Sequence, residues 1–201
     1  MSKPATQLEN VMDNIPYYDK WQLDEGIPVI KTFFVQDLKK VELKSWSRTG
    51  GNGAFINMEG AEGATGAYVS EIPAGRKLNP ARHLYEDLHF VLKGRGGTTI
   101  WNGKGAKQNF EWQEGSLFAL PLNCTYQHFN GSGQEPVRYV AVTNAPAVMN
   151  LYDDVNFVFN TKYDFKNRFA GEPDYFSPKT EAKGFLLPIV FLRSSMQSHA
   201  L

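Results

Sequence analysis

Cysteine is nearly absent from this 201-residue chain. The single copy, Cys124, excludes an intramolecular disulfide and fits a reducing compartment. A lone cysteine is most often a small buried hydrophobe, and nothing nearby in the sequence activates this thiol as a nucleophile. Neither sign of charge is in excess, with 21 basic against 21 acidic side chains. That removes the compositional case for nucleic acid or an anionic membrane surface. Long apolar runs are missing: FLLPIVFL at 185–192 is interrupted by Pro188 and falls far short of the ~20 residues a bilayer span needs. The stretch MSKPATQLEN has no apolar core of signal-peptide type. The expectation is a cytoplasmic protein with no membrane or nucleic-acid partner. Histidine is scarce too, at four in all, so their positions carry weight.

What is present is turn punctuation. From 67 to 144, short runs of β-forming residues alternate with Pro73-Ala74-Gly75, Gly94-Arg95-Gly96, Asn102-Gly103, Glu114-Gly115 and Gly131-Ser132-Gly133. Asn-Gly between two such runs is a strong hairpin signal. Eight candidate strands with no helical stretch between them predict a closed β-sandwich or barrel. Before them, residues 1–59 read as an extension with short helical pieces, dense in aromatics (Tyr17, Tyr18, Trp21, Phe33, Phe34). After them, 147–201 read as a C-terminal arm. In it Phe157-Val158-Phe159 suggests an added edge strand, 171–184 a linker, and 185–201 a tail that docks on the barrel, on a neighbouring subunit, or not at all. The glycines at 60–66 lack the Lys-Ser/Thr pair of a phosphate-binding loop and read as a surface loop.

Two blocks carry the chemistry. In GRKLNPARHLYEDLHFVLKG, Gly75, Ala81, His83, Asp87 and Gly94 have the spacing G-x5-H-x-H-x3-E-x6-G. In GSLFALPLNCTYQHFN, Gly115, Pro121, Asn123, Tyr126 and Asn130 have the spacing G-x5-P-x-G-x2-H-x3-N. These paired motifs resemble those of the cupin superfamily. The phrases RHLYEDLHFVLKGRG and YQHFN are most similar to cupins related to gentisate 1,2-dioxygenase. The resemblance implies an all-β cupin double-stranded β-helix, a jelly-roll barrel, over 60–146. It also implies a metal held at the positions of Ala81, His83, Asp87 and Tyr126. Of these, His83 is unchanged, Asp87 is a shortened glutamate, and Ala81 and Tyr126 stand where the family has histidines. In the dioxygenases ferrous iron activates a catechol-like substrate and oxygen, so the resemblance points to iron-type oxygen chemistry on a small aromatic molecule.

Strand alternation supplies replacements. Asp87 and His89 share one face of a strand, and so do Tyr126 and His128. His83, Asp87, His89 and His128 therefore form a candidate ligand set for a divalent transition metal, iron or manganese first, with Tyr126 as a possible further ligand. His83, Tyr126 and His128 are the candidate catalytic groups. Arg82, as the strand neighbour of an inward histidine, is expected to point outward. Two other readings stay open. The same histidines serve equally as hydrogen-bonded core groups, with Asp87 paired to Arg82 or Arg95. Or they move protons without metal, with Tyr126 as acid partner. The functional expectation is a metal-dependent, dioxygenase-like oxidoreductase acting on a small ligand, in a homodimer or higher homo-oligomer. The alternative is a non-catalytic, metal-free cupin that binds a small ligand or a partner.

Overall fold

The computed structural model describes residues 15–103 and 105–177. The element order is α1 Tyr17–Asp24, β1 Val29–Thr32, β2 Lys44–Trp46, β3 Gly51–Met58, β4 Gly66–Ile72, β5 Asp87–Lys93, β6 Arg95–Trp101, β7 Gln108–Gln113, β8 Leu117–Ala119, β9 Thr125–Asn130, β10 Val137–Thr143, α2 Ala145–Tyr152 and α3 Val155–Asn160. Seven strands form one sheet in the order β1-β3-β4-β10-β5-β8, with β2 also on β3, and three form a second in the order β7-β6-β9. This is the all-β jelly roll expected, with short helices confined to its flanks. Among the described residues no helix is long and apolar enough to cross a membrane.

Register explains which side chains meet inside. Across the large sheet Phe55, Tyr68, Ala141, His89 and Phe118 lie side by side in one row. In the small sheet Phe110, Thr98 and His128 do the same. Because side chains alternate along a strand, Asp87, His89 and Val91 turn inward and are buried, while Leu88 and Phe90 face out and are exposed. The turns hold this frame. Gly75, Gly94 and Gly115 all take positive φ, and Asn123, at the glycine position of the second block, does so at 55°. Asparagine is among the few residues that tolerate the left-handed region. Asn130 donates to the carbonyls of Ile72, Pro73 and Glu135 at 2.8–3.1 Å, which ties β9 to both neighbouring loops.

Several expectations need correction. The sheet begins before residue 60, since β1, β2 and β3 all belong to it. Gly51 and Gly53 resemble loop residues but are there for close approach: a Cβ on Gly53 would lie 2.5 Å from the Trp46 ring. Residues 155–160 form helix α3 and not an edge strand, because Asp154 accepts from the Phe157 amide and starts a helix turn that buries Val158. Residues 82–84 are not a strand. The chain there only bridges to β9 through Ala81, whose N–H and C=O both bond Tyr126 at 2.8 and 2.9 Å. Residues 38–40 make a single 3-10 turn capped by Asp37. Of the expected linker, 171–177 packs on the barrel, with Phe176 stacked on Phe110 at 3.9 Å. The remainder, and the tail 185–201, lie outside the described residues.

The arm between β1 and β2 crosses the outer face of the large sheet. Val35, Leu38, Val41 and Leu43 pack on Ile56, Val69, Leu92 and Val140. Arg138 pins it, donating to the Lys39 and Val41 carbonyls while its Nη2 pairs with Glu71 at 2.8 Å.

Candidate functional site

The barrel interior holds a polar cluster walled by aromatic rings. β5 supplies Asp87 and His89, β9 supplies Tyr126 and His128, and the loop before β5 supplies His83. All five candidate site residues are buried, and the structure brings them to one place.

Asp87 is its hub. Its Oδ2 accepts from the Tyr68 hydroxyl at 3.2 Å and lies 3.1 Å from His89 Nε2 and 3.4 Å from His83 Nε2. The His89 contact is at ion-pair distance but off the hydrogen-bonding direction, so His89 counts among the groups without a hydrogen bond. Burial raises the Asp87 pKa, but the His89 and His83 imidazoles outweigh it and hold the carboxyl well below its usual range. Neither Arg82 nor Arg95 pairs with it. Burial, followed by the Asp87 charge, pushes the Tyr68 and Tyr126 hydroxyls well above their ordinary value. Both therefore stay protonated and act as donors.

His83 stacks flat on Tyr85, with ring centroids 3.8 Å apart, and its Nδ1 donates to the Tyr85 carbonyl at 2.8 Å. Its Nε2 then accepts from the Tyr126 hydroxyl at 3.0 Å. His128 ends a relay. Trp112 Nε1 donates to Thr98 Oγ1 at 2.8 Å, and Thr98 Oγ1 lies 2.7 Å from His128 Nδ1. Having accepted once, the buried threonine satisfies its own proton by donating it to Nδ1. Burial, then the His89 charge, sets the His128 pKa well below its ordinary value. The neutral ring carries its proton on Nε2, which has no partner, as do Asp87 Oδ1 and both nitrogens of His89.

These contacts test the metal expectation. A ligating imidazole must turn a free lone pair on the ion. Here the His83 lone pair takes the Tyr126 proton, His89 Nε2 faces a carboxylate oxygen, and His128 presents an N–H. Among the described residues no group of three or more His, Cys, Asp or Glu side chains is arranged to enclose an ion. In this arrangement Asp87 sits at the centre of the network, and an ion held by this donor set would have to displace the Tyr126–His83 and His89–Asp87 contacts.

A cavity of about 220 Å³ leads to the cluster. Trp46, Tyr85 and Phe159 wall it, and His83, Tyr126 and Arg82 line its polar side. A larger groove, about 800 Å³, runs over Gly97 on the small sheet and does not reach the histidines. Arg82 was expected to face outward. Because its segment is not a strand, it lines the cavity beside His83, with Nη2 donating to Asp164 and to the Tyr163 carbonyl, each at 2.8 Å. Its Nε is buried without a partner. Sequence reasoning also missed Tyr68, Tyr85 and Thr98, which have no motif position: Tyr68 and Thr98 come to the cluster through sheet register, and Tyr85 stacks on His83 from the loop before β5. Cys124 is buried, and burial pushes its thiol up to about 12, which leaves it inert.

Comparison with known proteins places the chain. The family model described as auxin binding protein matches residues 24–181. Auxin-binding protein 4 of Zea mays is 23% identical over 127 residues, covering 60% of this chain and 62% of that one, so the match spans less than two thirds of the relative. Among solved structures, oxalate decarboxylase from Lactobacillus farciminis, as a formate complex, aligns with TM-score 0.46 and 17% identity over 56% of this chain and 35% of that one. Oxalate decarboxylase from Bacillus subtilis at pH 4.6 aligns with TM-score 0.45 and 15% identity over 53% of this chain and 28% of its own. With a family model covering most of its length, this chain is a cupin that belongs to the auxin-binding protein family.

Proposed function

We propose that the chain is a metal-free cupin that binds a small aromatic molecule carrying an acceptor or anionic group. The observation that carries this reading is the cavity itself: three aromatic walls facing the Arg82, His83 and Tyr126 side chains on its polar side. At about 220 Å³ the cavity suits a one- or two-ring molecule. The His83–Tyr126 pair then fixes the ligand's inner end, while the stacked Tyr85 keeps His83 in place. A family whose members are named for binding auxin supports a ligand of this kind.

The test is a titration of the full chain with auxin and with benzoate, followed by tryptophan fluorescence, since Trp46 lines the cavity. Binding by at least one probe, weakened about tenfold or more in Arg82→Ala, is expected. Affinity that is unchanged in Arg82→Ala, or no binding of either probe at millimolar concentration, rejects the reading.

One observation favours a second reading, a metal-dependent oxidoreductase of dioxygenase type. Four buried polar atoms of Asp87, His89 and His128 lack partners, and rotation of these rings would turn a carboxylate and two imidazoles on one ion of iron or manganese. Such an ion would supply Lewis-acid and oxygen chemistry at the cavity floor. The residues holding it would be His83, Asp87, His89 and His128. This reading requires the Tyr126–His83 and His89–Asp87 contacts to open.

A further inference from the structure

The small sheet also has an outer face. Thr98 and His128 point into the barrel and are buried, so their neighbours along β6 and β9 point out. In one outward row Phe129, Gly97 and Glu111 lie side by side. In the next, Arg95 pairs with Gln113, and Gly131, just past the end of β9, donates its N–H to the Arg95 carbonyl at 2.9 Å. Two adjoining outward positions are therefore glycine. The side chains missing there leave a groove of about 800 Å³ over the sheet, within the size range of ligand sites. Backbone geometry does not demand a glycine at 97. Its φ is not positive, and a Cβ there would come no closer than 3.3 Å, to the Phe110 carbonyl.

The walls of this groove combine an aromatic ring with hydrogen-bonding groups. Phe129 lines it and joins none of the apolar clusters of the described residues. Arg95 and Glu111 hold diagonal positions of the β6–β7 pair, about 7–8 Å apart in such a ladder. Among the described residues neither forms an ion pair. Beside them Thr99 donates to Asn109 Oδ1 at 2.5 Å, which leaves the Asn109 Nδ2 as a donor for a ligand. A guanidinium only donates and a carboxylate only accepts. An anion in the gap between them would meet Glu111, and a cation would meet Arg95. A neutral hydroxyl suits both, because it accepts and donates at once. A ring that carries several hydroxyls at its edge and C–H groups on its face would also cover Phe129.

We propose that this outer groove binds a neutral saccharide, with one sugar ring laid on Phe129 and its hydroxyls bridging Arg95 and Glu111. The groove shares no lining residue with the cavity at His83, so the two sites stand or fall separately. The test is calorimetric titration of the full chain with cellotetraose, maltotetraose and xylotetraose. Binding of at least one of them at millimolar concentration or below is expected. It should weaken about tenfold or more in Glu111→Ala, which removes the acceptor, and in Gly97→Thr, which fills the floor. Glu111 is exposed, and a native urea midpoint shows that its variant still folds. No binding of any of the three at millimolar concentration overturns the proposal, as does an affinity unchanged in either variant. Self-association of the native chain that Glu111→Ala abolishes would assign the groove to a second copy and overturn it as well.

Discussion

His128 makes the chain's stability depend on pH in a window of its own. Its pKa in the folded protein lies well below the ordinary value, chiefly because burial disfavours the imidazolium and then because His89 is close by. In the unfolded chain the same ring takes up a proton near about pH 6.5. Below that pH the unfolded state binds one proton that the folded state refuses, so stability falls as pH falls. The slope from one such group is about 1.4 kcal/mol per pH unit, or about 2 kcal/mol between roughly pH 6.5 and roughly pH 5. Asp87 acts in a different window. Its folded pKa is depressed, so its contribution is present above about pH 4 and is lost only as pH falls further, through the folded value. The perturbation is His128→Gln, which keeps an acceptor for the Thr98 hydroxyl and cannot titrate. Urea midpoints for both proteins across this range give the two slopes. The variant should lose about 1.4 kcal/mol per unit of slope relative to the native chain, whatever its absolute stability. Parallel curves would show that His128 is not buried in neutral form and would refute the relay through Thr98.

Other perturbations follow from the same contacts. Asp87→Asn removes the carboxylate that faces His89 at 3.1 Å and accepts from Tyr68 and should cost about 3–5 kcal/mol in urea unfolding, as for other broken buried pairs. Tyr126→Phe deletes the donor to His83 Nε2 and should cost about 1–2 kcal/mol, with a clear loss of affinity for the fluorescence probes. Gly96→Ala places a Cβ 2.2 Å from the Phe129 carbonyl and 2.3 Å from the Trp112 ring. The backbone cannot yield there, so a loss of about 3 kcal/mol or more in thermal unfolding is expected.

The barrel was legible because its turns are written in residue types with few conformational options. Gly75, Gly94 and Gly115 take the left-handed backbone their turns demand, and Asn123 substitutes for glycine in the fourth. Alternation along β5 and β9 was enough to gather Asp87, His89, Tyr126 and His128 inside. What could not be read was which polar atom would occupy the centre. Motif spacing makes Asp87 a candidate metal ligand, and it does not reveal that Tyr68 and two imidazoles meet at its carboxylate. Tyr68 reaches it only because β4 pairs with β10 and β10 with β5, a long-range register that local pattern does not encode. Arg82 was misplaced for a related reason. Alternation holds only within a strand, and the chain here bridges to β9 at Ala81 alone, with residues 82–84 outside any ladder. The first half of β3 is hidden by Gly51 and Gly53, which look like loop until Trp46 is seen pressed against Gly53.

On the proposed reading the buried His/Asp cluster serves a ligand cavity and holds no metal, with His83 Nε2 engaged by Tyr126 and His128 Nδ1 by Thr98. Elemental analysis of full-length protein, purified without chelator or metal-affinity resin and then exposed to ferrous iron or manganese, tests it most directly. A metal-free cluster retains well under about a tenth of an equivalent of any transition metal after gel filtration. Close to one equivalent, lost in both His89→Ala and His128→Ala, would contradict it and establish the metal site in its place.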